Sequence, residues 1–131
     1  MPEPLEYKFN HIHVYCSDVD ASARWFVDAL GAELVSDRDS LGIPARTLQL
    51  GGARVLLRGA REGENLAPAG PQHYGTDHFG LEVSDVDATV DELKRRGVFI
   101  DVEPWNIRPE TRIAFVKGPD NVRIELVQNR S

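Results

Sequence analysis

The sequence is poor in several features, and each shortage excludes a class of protein. One cysteine among 131 residues excludes an internal disulfide and suits a reducing compartment. No apolar run reaches membrane-spanning length and no signal peptide opens the chain, so we expect a soluble cytoplasmic protein without a membrane partner. Lysines and arginines number 15 against 21 acids, and no basic tract is present, which argues against nucleic acid as a partner.

The chain does contain an internal repeat. The stretch His11–Ser22 returns as His78–Thr89 at a constant offset of 67 residues, with seven matched positions when Ser22 is counted with Thr89. Such a repeat predicts two copies of one small module. The length suits a single domain, 1–131, in which the two modules share one core.

Each copy is predicted to be a strand that runs into a helix. Apolar and polar residues alternate before the repeated Ser-Asp, and apolar residues recur at helical spacing after it. Both modules then continue with three strands, which predicts the α+β class and the order βαβββ twice. The modules span about 8–58 and 76–128, joined by a linker at 59–75 that is rich in glycine and proline. The predicted strands are 8–15, 33–36, 45–50, 54–57, one from 77, 98–102, 112–116 and 122–127, with helices from Val19 and Val86 and a loop at 103–110.

Strand periodicity places the polar residues of each module on one face. His11, His13 and Tyr15 share a face of the first strand, opposite its apolar residues. In the last strands, Gly52–Leu57 superposes on Asn121–Leu126, which makes Leu56 and Glu125 equivalent and turns both toward the cavity. The two-fold repeat therefore gathers four positions around one axis: His11, His78, Glu125 and Leu56.

Two neutral imidazoles and one carboxylate with open positions are a typical ligand set for a divalent transition metal. Glu125 lies between the apolar residues Ile124 and Leu126, and a carboxylate buried there without a partner would be costly to desolvate. A metal removes that cost. By residue type the ion can be zinc, iron, nickel, cobalt or manganese.

The pattern resembles the vicinal oxygen chelate superfamily, which includes glyoxalase I, methylmalonyl-CoA epimerase, extradiol dioxygenases, fosfomycin-resistance thiol transferases and bleomycin-binding proteins. The resemblance covers about residues 9–128. It rests on His11 before Asp18, His78 before Asp85, and Gly118-Pro119-Asp120 leading to Arg123-Ile124-Glu125-Leu126. It implies two βαβββ modules that form an incomplete barrel around a metal site, usually in a homodimer.

By this resemblance His11, His78 and Glu125 fall on metal-ligand positions, with one divalent ion per chain. The fourth position, which holds Glu or Gln in glyoxalases and epimerases, is Leu56 here, and leucine cannot coordinate. Extradiol dioxygenases have a tyrosine where this chain has Phe115. No named activity of the superfamily fits without exception.

The remaining polar residues have both functional and structural interpretations. His13 lies about 6.5–7 Å beyond His11 on the same face, so it is either an acid–base catalyst or a hydrogen-bonded structural histidine. Glu125 is the second predicted catalytic residue. Arg54, Arg58 and Arg123 suit an anionic substrate group, or else reach solvent at the rim. Gln49 is a substrate-binding candidate and, under a shifted hairpin alignment, a possible ligand. The predicted substrate-binding residues are Gln49, Arg54, Leu56, Arg58 and Arg123.

Two functions from different classes follow from these residues. The favoured one is a metalloenzyme that holds two oxygens of a small, anionic substrate and performs lyase, isomerase or dioxygenase chemistry. The alternative is a metal-free small-molecule binding protein of the bleomycin-resistance type. The three ligand residues favour the enzyme, since binding members of the superfamily typically lack them. We also predict a two-fold dimer whose metal sites lie between modules, in one chain or across two chains.

Overall fold

A computed structural model of the chain describes residues 5–70 and 73–129. Within these residues the order βαβββ occurs twice, which confirms the predicted α+β class and the two modules. The first module contains β1 (His11–Tyr15), α1 (Val19–Leu30), β2 (Glu33–Ser36), β3 (Ala45–Leu50) and β4 (Ala53–Arg58). The second contains β5 (Phe79–Glu82), α2 (Val86–Arg95), β6 (Phe99–Arg108), β7 (Thr111–Lys117), a 3₁₀ turn (Pro119–Asn121) and β8 (Arg123–Asn129).

The strands form two separate four-stranded sheets with the same topology. The first sheet has the order β1-β4-β3-β2 and the second has β5-β8-β7-β6. In both, the first strand lies parallel to the last and the other pairs are antiparallel. β1 and β5 therefore each lie at a sheet edge, and the barrel is open.

Both helices begin at an aspartate. Asp18 accepts a hydrogen bond from Ala21 N and Asp85 accepts one from Ala88 N, each at 3.0 Å. The repeated Ser-Asp thus starts both helices as predicted, with the aspartate as the N-cap because its carboxylate reaches the first turn. Gly31 ends α1 with φ of 75°, a left-handed conformation that favours glycine.

The helices pack on the apolar faces of the sheets and the two modules share one core. Phe26 of α1, Leu48 and Leu57 of the first sheet, and Ile124 and Leu126 of the second are almost completely buried in the same cluster. Burial of these side chains is the main term that stabilises the fold. The single cysteine, Cys16, lies in this core.

Polar contacts also join the modules. Ser17 N donates to Asp120 Oδ2 at 3.0 Å, and Arg96 Nη1 donates to Ala29 O at 3.0 Å. Gly118 lies against the ring of Trp25, so close that a Cβ at this position would be 2.9 Å from Cζ3. The turn before β8 is therefore fitted to the face of α1.

The prediction of a loop at 103–110 is wrong, because β6 continues as far as Arg108. Pro104 argues against a strand in the sequence, since proline cannot donate to a sheet. β6 lies at the edge of the second sheet, where a missing donor costs little, and its pairing with β7 is interrupted by register shifts. The edge position thus accommodates the proline.

Strand starts and the predicted linker can also be compared with the structure. β1 begins at His11 and not at residue 8, and β5 begins at Phe79 and not at residue 77. In the predicted linker, residues 59–70 and 73–75 contain neither helix nor strand, and residues 71–72 lie outside the described residues. None of the helices in the described residues is long and apolar enough to cross a membrane.

Candidate metal and substrate site

His78 and Glu125 face each other at the edge of the second sheet. His78 directly precedes β5. Glu125 lies on the neighbouring parallel strand, β8, where it pairs with Gly80 of β5. This register places His78 Nε2 3.2 Å from Glu125 Oε1. Both side chains are partly buried, at 31% and 20% exposure, so they are accessible to a small ligand.

The separation of these two atoms suits two ligands of one ion. Ligands at about 2.1 Å from a metal lie about 3.4 Å apart in tetrahedral geometry and about 3.0 Å apart in octahedral geometry. The 3.2 Å between His78 Nε2 and Glu125 Oε1 falls between these values. The pair therefore has the donor types and the spacing of two ligands of the divalent ion that the resemblance implies.

Each of the two repeat-related histidines has a hydrogen-bond partner in the residue just before it. His78 Nδ1 lies 2.8 Å from Asp77 Oδ2, and His11 Nδ1 lies 2.6 Å from Asn10 Oδ1. In the tautomer in which Nδ1 donates to these oxygens, Nε2 keeps the lone pair that a metal requires. Neither Asn10 nor Asp77 was among the predicted site residues, although the 67-residue offset relates them too.

A chain of charged side chains continues from Asp77 along the second sheet. Arg123 Nη1 donates to Asp77 Oδ2, and Arg123 Nε lies 3.4 Å from Asp101 Oδ2. Its guanidinium lies over the ring of Phe115, 4.2 Å from the centroid, and that ring is nearly perpendicular to the ring of His78. The hydrogen bond from His78 and the charge of Arg123 lower the pKa of the Asp77 carboxyl, so it is ionised.

The open face of the first sheet, formed by His11, His13 and Tyr15 of β1 with their neighbours on β4, has a different character. The ring centroids of His11 and His13 are 6.1 Å apart, and those of His13 and Tyr15 are 5.5 Å apart. Leu56 pairs with His13 in the register of β1 and β4, which confirms its equivalence to Glu125. No coordinating group therefore occupies the Leu56 position.

His13 is held in an environment that disfavours its charged form. Burial, the nearby cation of Arg58 and the imidazole of His11 lower the pKa of His13 below its usual value, and burial contributes most. A neutral imidazole can both accept and donate a proton. The side chain is nevertheless exposed enough to reach a ligand on the open face.

The predicted substrate arginines have different surroundings. Arg58 is buried and forms a two-point ion pair with Glu64 from the linker, at 2.6 and 2.9 Å, while its guanidinium lies over the ring of Tyr15. The hydrogen bond from Arg58 lowers the pKa of Glu64 to about 2 and raises that of Arg58. Arg123 is partly exposed and forms single contacts with two carboxylates, those of Asp77 and Asp101.

Arg54 is the predicted arginine whose charge is not neutralised in this way. It is exposed and has no ion-pair partner among residues 5–70 and 73–129. In the register of the first sheet it pairs with His11 on one side and with Gln49 on the other. Arg54 and Gln49 thus lie in one row with His11 on the open face, where a polar substrate group can reach both.

One chain does not gather the whole predicted ligand set. Within the part of the chain that the structure describes, no group of three or more His, Cys, Asp or Glu side chains is arranged to hold a metal ion. His78 and Glu125 are together, but His11 lies on the first sheet with Asn10 and His13. A cleft of about 1120 Å³ runs between the two sheet edges and is lined by residues of β1, the linker and β5, including His13, Tyr15, Leu66 and His78.

The comparisons with known proteins agree with this architecture. The family model of the Glyoxalase/Bleomycin resistance protein/Dioxygenase superfamily matches residues 8–126, and the chain belongs to this superfamily. A Synechocystis protein named a probable lactoylglutathione lyase is 29% identical over 92% of this chain and 95% of its own length. A protein of the same name from Vibrio parahaemolyticus is 30% identical over 92% of this chain and 89% of its own length.

The solved structures share the fold at lower sequence identity. A glyoxylase/bleomycin resistance protein/dioxygenase domain from Frankia superposes with a TM-score of 0.79 at 20% identity, over 96% of this chain and all of that one. A glyoxalase I variant from Zea mays gives 0.77 at 22% identity over 95% of this chain and 46% of its own. This likeness establishes the arrangement of the two modules.

Proposed function

We propose that the chain is a metal-dependent enzyme in which His11, His78 and Glu125 hold one divalent ion per chain. The observation that carries the proposal is the pair of His78 Nε2 and Glu125 Oε1 at 3.2 Å, with Asp77 at the other ring nitrogen. Imidazole and carboxylate donors suit zinc, iron, nickel, cobalt or manganese. When bound, such an ion acts as a Lewis acid that holds substrate oxygens and stabilises an enolate or alkoxide as it develops.

The third ligand is proposed to come from a second copy of the chain. His78 and Glu125 form part of the ligand set in one molecule, and His11 lies apart on an open, exposed face. β1 and β5 are both edge strands with a free side. A two-fold dimer would bring His11 of the partner subunit to each His78–Glu125 pair and cover the open faces of both sheets.

The remaining residues of the site have proposed roles that follow from their positions. His13 lies beside His11 on the open face and is proposed to move a proton to or from the substrate. Glu125 is proposed to be both a metal ligand and a catalytic residue. Arg54 and Gln49 are proposed to bind an anionic substrate group. Arg58 and Arg123 are proposed to act through their ion pairs with Glu64 and Asp77.

The reaction is proposed to be a lyase, isomerase or dioxygenase step on a small substrate with oxygen donors. The relatives' names make lactoylglutathione the first compound to test. Leu56 stands where the resemblance to glyoxalases implies Glu or Gln, and it pairs with His13 and Thr47 in the first sheet. The missing ligand argues for a reaction that uses an open position beside Leu56.

Metal analysis tests the proposal most directly. Protein purified without added metal should contain about one equivalent of a divalent ion per chain, and His78→Ala and Glu125→Ala should each lose it. Full metal occupancy in both variants would contradict the assigned ligands. A wild-type protein that carries no metal and binds none of the five candidate ions when they are added would instead support the metal-free binding protein.

A further inference from the structure

Asp77 contacts both a candidate metal ligand, His78, and an arginine, Arg123. Its Oδ2 lies 2.8 Å from His78 Nδ1 and accepts a hydrogen bond from Arg123 Nη1. Arg123 is itself fixed on two sides, by Asp101 and by the ring of Phe115. We propose that Asp77 and Arg123 are positioning residues that hold His78 as the Nδ1–H tautomer and so prepare Nε2 for the metal; this inference rests on the proposed function.

The distances around His78 indicate which of its two ring nitrogens carries the proton. A neutral imidazole has one N–H, and His78 has a carboxylate at each nitrogen: Asp77 at 2.8 Å and Glu125 at 3.2 Å. The shorter contact favours the proton on Nδ1, and Arg123 fixes the position of the Asp77 carboxylate that accepts it. The lone pair of Nε2 then points toward Glu125, where the ion is proposed to lie.

Phe115 contributes to the same arrangement. Its ring meets that of His78 edge to face, with centroids 4.9 Å apart, and carries the Arg123 guanidinium at 4.2 Å from its centroid. The imidazole is therefore restrained in its plane by Phe115 and in its rotation by Asp77. The hydrogen bonds of Arg123 go to Asp77 and Asp101 and its ring contact is with Phe115, so Asp77 and Phe115 are the contacts that connect it to His78.

The repeat supplies an internal comparison. His11 has the neutral Asn10 where His78 has the anionic Asp77, and its Nδ1 contact of 2.6 Å is the corresponding hydrogen bond. Leu56, the equivalent of Glu125, has no carboxylate that could compete with Asn10 for the His11 proton. A charged positioning residue thus occurs only in the copy where a second carboxylate competes for the imidazole proton.

The tautomer can be read in metal-free full-length protein by nitrogen-resolved NMR of the imidazole rings at alkaline pH. Wild-type His78 should be Nδ1–H, and Asp77→Ala should convert it to Nε2–H bonded to Glu125. The affinity for Zn²⁺, measured in competition with a chelator, should fall about 10- to 100-fold in Asp77→Ala. Asp91→Ala removes the same charge from the exposed surface of α2 and should change neither result.

A double-mutant cycle tests whether Arg123 acts through Asp77. Arg123→Gln should weaken Zn²⁺ binding in the wild-type background and have little further effect in Asp77→Ala. Equal effects in both backgrounds, an Nε2–H tautomer in wild type, or an Asp77→Ala variant with unchanged Zn²⁺ affinity would overturn the inference. If wild type bound neither Zn²⁺ nor any of the other four candidate ions, both the inference and the proposed function would fall, whereas the other outcomes overturn the inference alone.

Discussion

Leu56 and Glu125 occupy the same register position in the two sheets. Leu56 pairs with His13 and Thr47, and Glu125 pairs with Gly80 and Phe115. Only one of these equivalent positions offers an oxygen ligand. The repeat is therefore symmetric in its backbone and asymmetric in its chemistry, which leaves an open, apolar side to the proposed metal site.

Replacement of Leu56 by Glu should restore a ligand at this position. We expect Leu56→Glu to bind divalent metal more tightly and to lose native activity, because the open position closes. Thermal melts with and without added metal test this. If Leu56 only packs, the new carboxylate lacks a partner and destabilises the fold by several kcal/mol. A melting temperature that falls and does not recover with metal would refute the open-site interpretation, and Leu56→Gln is the uncharged control.

Mixed dimers should show whether the site lies between chains. His11→Ala and Glu125→Ala are each expected to lack metal when purified alone. A heterodimer of the two should regain one site, made of His11 from the Glu125→Ala chain with His78 and Glu125 from the other. Metal analysis of the tagged, co-expressed heterodimer measures this. No recovery of metal in the heterodimer, or a wild type that light scattering shows to be only monomeric, would count against the shared site.

His13 should matter for turnover and not for metal binding. His13→Asn keeps a polar side chain on the open face and removes the group proposed to move a proton. We expect kcat to fall about 10²- to 10⁴-fold with metal content unchanged. Loss of metal in His13→Asn would make it a ligand or a support for His11, whose ring lies 6.1 Å away. Unchanged kcat would remove it from the catalytic residues.

The Arg58–Glu64 pair should make stability depend on pH at acid values. The hydrogen bond from Arg58 lowers the pKa of Glu64 to about 2, from an ordinary value of 4.5. Its stabilising contribution is therefore complete above pH 4.5 and is lost as the pH falls toward 2. Urea unfolding across this range should show the difference between wild type and Glu64→Gln shrinking as the pH falls. Glu62→Gln, an exposed carboxylate in the same linker, is the control; a constant difference for Glu64→Gln would contradict the ion pair.

The contact between the modules at Gly118 should be sensitive to one added methyl group. Gly118→Ala places a Cβ 2.9 Å from the Trp25 ring, and overpacking of this kind costs about 1–3 kcal/mol. Denaturant unfolding measures the loss, which Trp25→Leu in the same chain should partly relieve. Gly70→Ala, where nothing lies within 4 Å, should be close to neutral. Equal stability of Gly118→Ala and wild type would mean that this contact is not tight.

Local patterns along the chain are sufficient to predict the two modules, the element order and the face on which each strand residue lies. All three depend on strand and helix periodicity and on the 67-residue repeat, so the equivalence of Leu56 and Glu125 follows from the amino-acid sequence alone. The meeting of His78 and Glu125 is predictable for the same reason, since both positions follow from the register of two parallel strands.

Packing between distant residues decides the features that no local pattern marks. The ion pairs of Arg58 with Glu64 and of Arg123 with Asp77 and Asp101 are such features, because they join residues that no sequence pattern relates. The edge position of β6 allows a strand to continue through Pro104, because only the edge of a sheet tolerates the missing donor. The placement of His11 apart from His78 likewise follows from how the two sheets pack on one core. A repeat cannot specify that placement, because it defines each module and leaves their mutual arrangement to burial of the apolar faces.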